Sequence, residues 1–196
     1  MTGTDLAVTD MDDMRHLAEG LAGRLRRGDV LVLTGDLGAG KTTFTQFLGT
    51  ALGVGGRISS PTFVLAREHA NTGDGPGLVH VDAYRLGDAD EFADLDLDSD
   101  LSEVVTVVEW GHGMAEQLND DRVEIVITRR FEEAWAPADL TDLDTEDENR
   151  RITLLPSGTD WTARVADLAA WYRAGTPDDT SAPDDTSTPD DSEEDA

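Results

Sequence analysis

The 196-residue chain contains no cysteine, which excludes disulfides, a thiolate nucleophile and cysteine-ligated zinc or iron–sulfur centres, and fits a reducing compartment. Positive charge is scarce: 15 basic side chains stand against 42 acidic ones, a formal net charge of -27. Most of such a surface repels phosphate backbones, so free nucleic acid is excluded as the expected direct ligand. A tRNA or DNA role requires a partner to hold the polymer. No apolar run approaches the roughly 18–20 residues that a membrane span needs. Met1-Thr2-Gly3-Thr4-Asp5 has neither the positive flank nor the apolar stretch of a secretory signal. The expectation is a soluble, cytoplasmic protein. Lysine is nearly absent too, with Lys41 the single one and every other base an arginine.

The charge is unevenly spread. From Ala174 to Ala196 there are nine acids and no base, so Met1 to Arg173 holds the other 33 acids and all 15 bases, a net of -18. That terminal stretch repeats Pro-Asp-Asp at Pro177, Pro183 and Pro189 without an aromatic or large aliphatic residue, and cannot bury enough apolar area to offset its ordering entropy. Residues 174–196 therefore read as a disordered acidic tail, or else a partner-binding peptide, beyond a single domain over 1–173. Within that domain the acidic stretch 132–149 reads as an exposed insertion between two strands, anchored only through Trp135, Leu140 and Leu143.

Leu6 to Val8 has the length of a short strand. Thr9 or Asp10 then caps a helix in which Met14, Leu17, Ala18, Leu21 and Leu25 recur at helical spacing up to Gly28-Asp29. Val30-Leu31-Val32-Leu33-Thr34 is a continuous apolar run, the pattern of a strand covered on both faces. A glycine loop and a second helix, about Lys41 to Leu52, follow. Further strands are expected at Phe63–Ala66, Leu78–Val81, Val104–Val108, 123–127 and 152–155, with a last helix over Asp160–Arg173. Interleaved strands and helices predict an α/β fold, a three-layer P-loop-type sandwich whose sheet is mostly parallel but mixed, because the later strands look hairpin-connected.

Directly after the buried strand stands Gly35-Asp36-Leu37-Gly38-Ala39-Gly40-Lys41-Thr42, which satisfies G-x-x-x-x-G-K-[ST] between a strand and a helix. Small residues let such a loop wrap a phosphate. Its N–H groups converge on the anion, and the positive end of the next helix adds to the field. The pattern assigns Gly38, Ala39, Gly40, Lys41, Thr42 and Thr43 to nucleotide binding, with Lys41 on the β- and γ-phosphates and the Thr42 hydroxyl on Mg²⁺. The lone lysine stands where phosphate chemistry calls for a compact, rotatable ammonium. It also makes the Asn-Lys-x-Asp guanine motif impossible, which favours ATP over GTP.

Such a site needs a carboxylate at the end of a neighbouring strand, where the ligand crevice opens. Asp82 follows Leu78-Val79-His80-Val81 and Glu109 follows Val104-Val105-Thr106-Val107-Val108. Either holds the metal's water shell or orients the attacking water, or is a cap or turn residue. Trp110 shields the carboxylate from water or belongs to the core. Ser59-Ser60-Pro61-Thr62 is an ordinary turn or a segment sensing the γ-phosphate, and Arg85 reads as a surface ion pair or a phosphate contact. The four histidines, His16, His69, His80 and His112, lack metal-ligand spacing and read as structural.

The ordered blocks Gly35 to Phe44, Ser60-Pro61-Thr62-Phe63, His80-Val81-Asp82-Ala83-Tyr84-Arg85-Leu86 and Val108-Glu109-Trp110 resemble the bacterial TsaE (YjeE) family over about Leu6 to Gly158, including a closing strand through Ile152. These are small P-loop ATPases of tRNA threonylcarbamoyladenosine synthesis. The resemblance implies Mg²⁺ on Thr42 and Glu109, Asp82 in the active site, and a nucleotide-responsive loop at Ser60 and Thr62. It also implies the partners TsaD and TsaB, the first of which modifies adenosine 37 of tRNAs reading codons that start with A. ATP hydrolysis would reset that assembly between turnovers. Gly111-His112-Gly113 after Glu-Trp, the insertion and the tail depart from the family pattern, and the adenine side falls near Arg129, Arg130 and Phe131.

The expectation is thus a Mg²⁺-dependent ATPase in which Lys41, Asp82 and Glu109 act on the triphosphate, tRNA being met only through partners. The other readings are a small-molecule kinase and a non-hydrolysing, nucleotide-dependent interaction module.

Overall fold

A computed structural model describes residues 3–59, 65–95, 100–129 and 149–175. The strands are β1 (Thr4–Val8), β2 (Val30–Thr34), β3 (Ala66–His69), β4 (Gly77–Asp82), β5 (Val104–Glu109), β6 (Arg122–Arg129) and β7 (Arg150–Ser157). The helices are α1 (Met11–Ala22), α2 (Lys41–Leu52), the short α3 (Ala89–Ala93) and α4 (Thr159–Gly175). The strands form one seven-stranded sheet in the order β1-β7-β6-β2-β5-β4-β3. β2 runs parallel to β5 and β6, and β4 parallel to β5. The edges are antiparallel: β3 against β4, and β1 and β6 against β7.

The expected mixed sheet is therefore present, and 123–127 and 152–155 pair antiparallel as the hairpin reading put it, whereas the antiparallel pairs β3–β4 and β1–β7 were not foreseen. Its two faces explain the unbroken apolar runs. Leu31 and Leu33 of β2 join a large cluster with Met14, Leu17 and Leu21 of α1, Phe44 and Leu48 of α2, and Trp161, Val165 and Leu168 of α4. Val32 turns the other way, onto Val79, Val81, Val108 and Phe92. A central strand covered on both sides has no polar face, so it shows no alternation in sequence.

Boundaries moved in three places. Asp10 rather than Thr9 caps α1 by accepting from the N–H of Asp13, but the helix ends at Ala22. Arg24 and Leu25 continue as i→i−3 turns donating to Leu21 and Ala22. Periodicity carried the expectation to Leu25 because Leu25 still packs on the core. The strand expected at Phe63–Ala66 is found at Ala66–His69, while Phe63 lies outside the described residues. α4 runs on to Gly175. The remainder of the Pro-Asp-Asp tail and the insertion, apart from Asn149, lie outside the described residues. Among the described residues no helix is long and apolar enough to cross a membrane.

A buried ion pair fastens α4 to the root of β2. Arg164 makes a two-pronged bond to Asp29, each N···O distance 2.7 Å, and also donates to the carbonyl of Arg24 at 2.9 Å. Its guanidinium lies 3.7 Å from the centre of the Trp161 ring. Neighbouring carboxylates, with the Asp29 hydrogen bond foremost among the favourable influences, outweigh burial and hold the Arg164 pKa above its ordinary value. The pair joins residues 135 apart in the chain, so local sequence gave no sign of it. Arg164→Leu strands the Asp29 carboxylate and is expected to cost about 3 kcal/mol in urea unfolding. Replacing both partners, Asp29→Leu with Arg164→Leu, is expected to cost less than the single change. A double variant worse than the single would show that packing, not charge, holds α4.

Candidate functional site

The site forms where the parallel strands end. Register sets Leu33 of β2 opposite Glu109 of β5, and Glu109 opposite Asp82 of β4. The chain leaving β2 enters the glycine loop beside both carboxylates. Gly35 has φ +147°, and a Cβ there would sit 2.2 Å from the carbonyl oxygen of Ile127, so no other residue fits the turn. The loop closes at Gly40, φ 112°, which caps the N-terminus of α2. On α2 the buried positions Lys41, Phe44, Thr45, Leu48 and Gly49 follow helical spacing. This roots the first turn in the core and leaves its N–H groups facing the crevice.

A cavity of about 280 Å³ results, lined by Leu37, Gly38, Gly40, Lys41, Thr42, Thr43, Asp82, Tyr84, Glu109 and Trp110. It unites seven of the residues expected from the sequence; Ala39 is buried, outside the lining. Ser60 and Thr62 lie outside the described residues, as do Arg130 and Phe131. Arg85 is exposed and is not part of the lining.

Lys41 is buried, its ammonium donating to the carbonyls of Gly35 at 2.7 Å and Asp36 at 2.9 Å. It also lies 3.7 Å from the centre of the Trp110 ring, a cation–π contact. Burial pulls its pKa below the ordinary lysine value, opposed by Glu109, Asp82 and Asp36. Trp110 takes φ 61°, rare for a residue with a side chain, and packs against Tyr84 with ring centres 5.1 Å apart. The indole thus covers the lysine and belongs to neither core cluster.

Glu109, 2% exposed, has both carboxylate oxygens engaged. Oε2 accepts from the Thr42 hydroxyl at 3.0 Å, and Oε1 lies 2.8 Å from Nε2 of the fully buried His80. Asp82 is also buried and accepts from the N–H of Tyr84 at 3.1 Å, so it caps the turn at Ala83–Arg85 as well as facing the cavity. Thr42 and Glu109 offer hard oxygen donors side by side. That suits a magnesium ion, which takes one or two protein ligands and fills the rest of its shell with water and phosphate oxygens. Among the described residues there is no cluster of three or more His, Asp and Glu able to enclose a metal by themselves.

His80 is the residue whose place the sequence reading did not find. It stands two positions before Asp82 on one face of β4, directly opposite Val107 and diagonal to Glu109. Period-two spacing from a candidate carboxylate was the available signal, and metal-ligand spacing was the wrong test for it.

Fold and loop together define a P-loop α/β protein. The family profile described as "Threonylcarbamoyl adenosine biosynthesis protein TsaE" matches residues 8–135. The chain belongs to the TsaE family. It is 52% identical over 158 residues to the "tRNA threonylcarbamoyladenosine biosynthesis protein TsaE" of Streptomyces coelicolor, covering 80% of this chain and 99% of that one. It is 44% identical over 119 residues to the protein of the same name from Bacillus subtilis, covering 60% and 73%. Among solved structures, YdiB from Bacillus subtilis superposes with a TM-score of 0.64 at 29% identity, covering 87% of this chain and 96% of that one.

His80→Leu keeps the bulk of the side chain but leaves Oε1 of Glu109 without its partner in a buried place. The expected loss of unfolding free energy is about 2 kcal/mol. Adding Glu109→Leu is expected to restore part of it, because the stranded oxygen goes as well. Equal losses in the single and double variants, measured by urea unfolding, would show that the pair is not coupled.

Proposed function

We propose that the chain binds ATP with Mg²⁺ and hydrolyses it, as a cycling subunit of tRNA threonylcarbamoyladenosine synthesis. The observation that carries this reading is the joining of Lys41, Thr42 and Glu109 at the mouth of the glycine loop, with Thr42 and Glu109 hydrogen-bonded to each other. Loop amides and the Lys41 ammonium would receive the β- and γ-phosphates. Magnesium, held by Thr42 and Glu109, would neutralise charge developing on the phosphate oxygens. Asp82 faces the same cavity from the next strand and orients a water for in-line attack, or Glu109 does so. The water oxygen bonds to the γ-phosphorus, the bond to the ADP oxygen breaks, and the water's proton leaves with the carboxylate or phosphate.

Turnover of the isolated chain should be slow. In other P-loop proteins a trans-acting arginine adds about 10³–10⁵ in rate, and among the described residues the cavity lining contains no arginine. The family membership supports a role beside TsaD and TsaB, with hydrolysis resetting their assembly between turnovers. The net charge of -27 supports a subunit that meets tRNA only through those partners.

The test follows ATP with purified protein alone and with TsaD and TsaB present. Phosphate release that rises with the partners is expected, and Lys41→Ala should lower it at least about a hundredfold, the scale of losing one transition-state contact. Transfer of phosphate to a metabolite would mark a kinase. Intact ATP with tight binding would mark a non-hydrolysing module.

A further inference from the structure

Two arginines grip the phosphate loop from behind. Arg129, at the end of β6, donates through Nη2 to the carbonyl of Gly38. Arg150, which opens β7, donates through Nε to the carbonyl of Ala39 at 3.0 Å. In the sheet register Arg129 and Arg150 are direct cross-strand partners. Like charges placed so oppose pairing, and the two neighbouring carbonyls are what both guanidiniums reach.

The loop needs such restraint. Gly38 and Gly40 take φ +77° and +112°, where glycine is free and the peptide planes between them can turn at little steric cost. In a trans peptide the C=O of one residue and the N–H of the next point in opposite directions. A plane that turns over therefore replaces a donor facing the anion with an acceptor that repels it. Holding the Ala39 carbonyl sets the direction of the Gly40 N–H, while the Gly38–Ala39 plane is pinned at both ends, its carbonyl by Arg129 and its N–H by the Asp36 carbonyl at 3.1 Å. Lys41, which lines the cavity, bonds the Gly35 and Asp36 carbonyls in the first half of the loop. Four loop carbonyls are thus held by cationic side chains, two of them from the β6–β7 hairpin.

We propose that Arg129 and Arg150 are positioning residues that lock two peptide planes of the phosphate loop before nucleotide arrives, Arg150 aiming the Gly40 N–H and Arg129 bracing the turn in which the Ala39 N–H bonds the Asp36 carbonyl. The guanidinium works here through directed hydrogen bonds, which lysine reproduces poorly because its ammonium lacks the planar fork. The proposal rests on the reading of the loop as an anion cradle, but the state of the loop without ligand can be read separately.

The experiment compares wild type with Arg129→Met, Arg150→Met and the corresponding lysine variants by two measurements. One is amide hydrogen exchange at Gly38–Lys41 in nucleotide-free protein, with the amides of β2 and β5 as the internal check on folding. The other is ADP affinity without magnesium, by calorimetry. The methionine variants are expected to exchange about tenfold faster across the loop and to bind ADP about tenfold more weakly, the scale of one charge-assisted hydrogen bond. The lysine variants should regain only a small part of either. Unchanged loop exchange in the methionine variants would overturn the proposal. So would lysine variants that recover full affinity while the loop still exchanges fast, since charge alone would then suffice. Should the methionine variants fail to fold, Arg129→Gln and Arg150→Gln, which remove the charge and keep an N–H donor, are measured against the lysine variants, with loop exchange slower in the glutamine pair expected and the reverse order overturning it. If wild type binds no ADP, the cradle reading fails, and the exchange measurement still decides whether the arginines hold the loop.

Discussion

A chain with a net charge of -27 can present an anion site only if positive potential is concentrated and fixed where it is needed. The glycine loop meets that constraint with main-chain dipoles, which carry partial charge without adding a titratable group. Its ammonium is held among carbonyls and an indole face, and two guanidiniums stand behind its backbone. Two buried carboxylates, Asp82 and Glu109, line the same cavity. The Thr42–Glu109 pair offers oxygen donors of the kind that suit a hard divalent ion.

The geometry depends on parallel pairing. Register places the carboxyl ends of β2, β4 and β5 at one level, so three residues distant in sequence, Lys41, Asp82 and Glu109, meet without any of them being on a long loop. Rigid strands beneath and a packed helix behind allow little drift, which favours amides and side chains already placed for the charge they would meet. The Asp29–Arg164 pair at the other end of β2 ties α4 to the same strand, so the scaffold is fastened at both ends.

His80 and Trp110 show how the second layer of the site is organised. His80 occupies Oε1 of Glu109 and so leaves Oε2 to Thr42. Trp110 adopts a left-handed backbone at the end of β5 that turns its ring over Lys41 and against Tyr84. An unfavourable backbone region kept beside a buried lysine is the kind of local cost that surrounding packing sustains.

The glycine loop, the buried central strand, the amphipathic α1 and the carboxylates ending β4 and β5 were legible in the chain, because each rests on residue types within a few positions of one another. Spacing singled out Lys41, Thr42, Asp82 and Glu109, and the fold brings the four into one cavity lining. Helix ends were less legible, since Leu25 keeps its place in the core after the helix has stopped. The pairing of His80 with Glu109, the indole over Lys41, the Asp29–Arg164 bond and the two arginines behind the loop were decided only by tertiary structure. Each joins residues from different strands or helices, and a contact across the sheet depends on register and twist, which no local pattern of residues encodes.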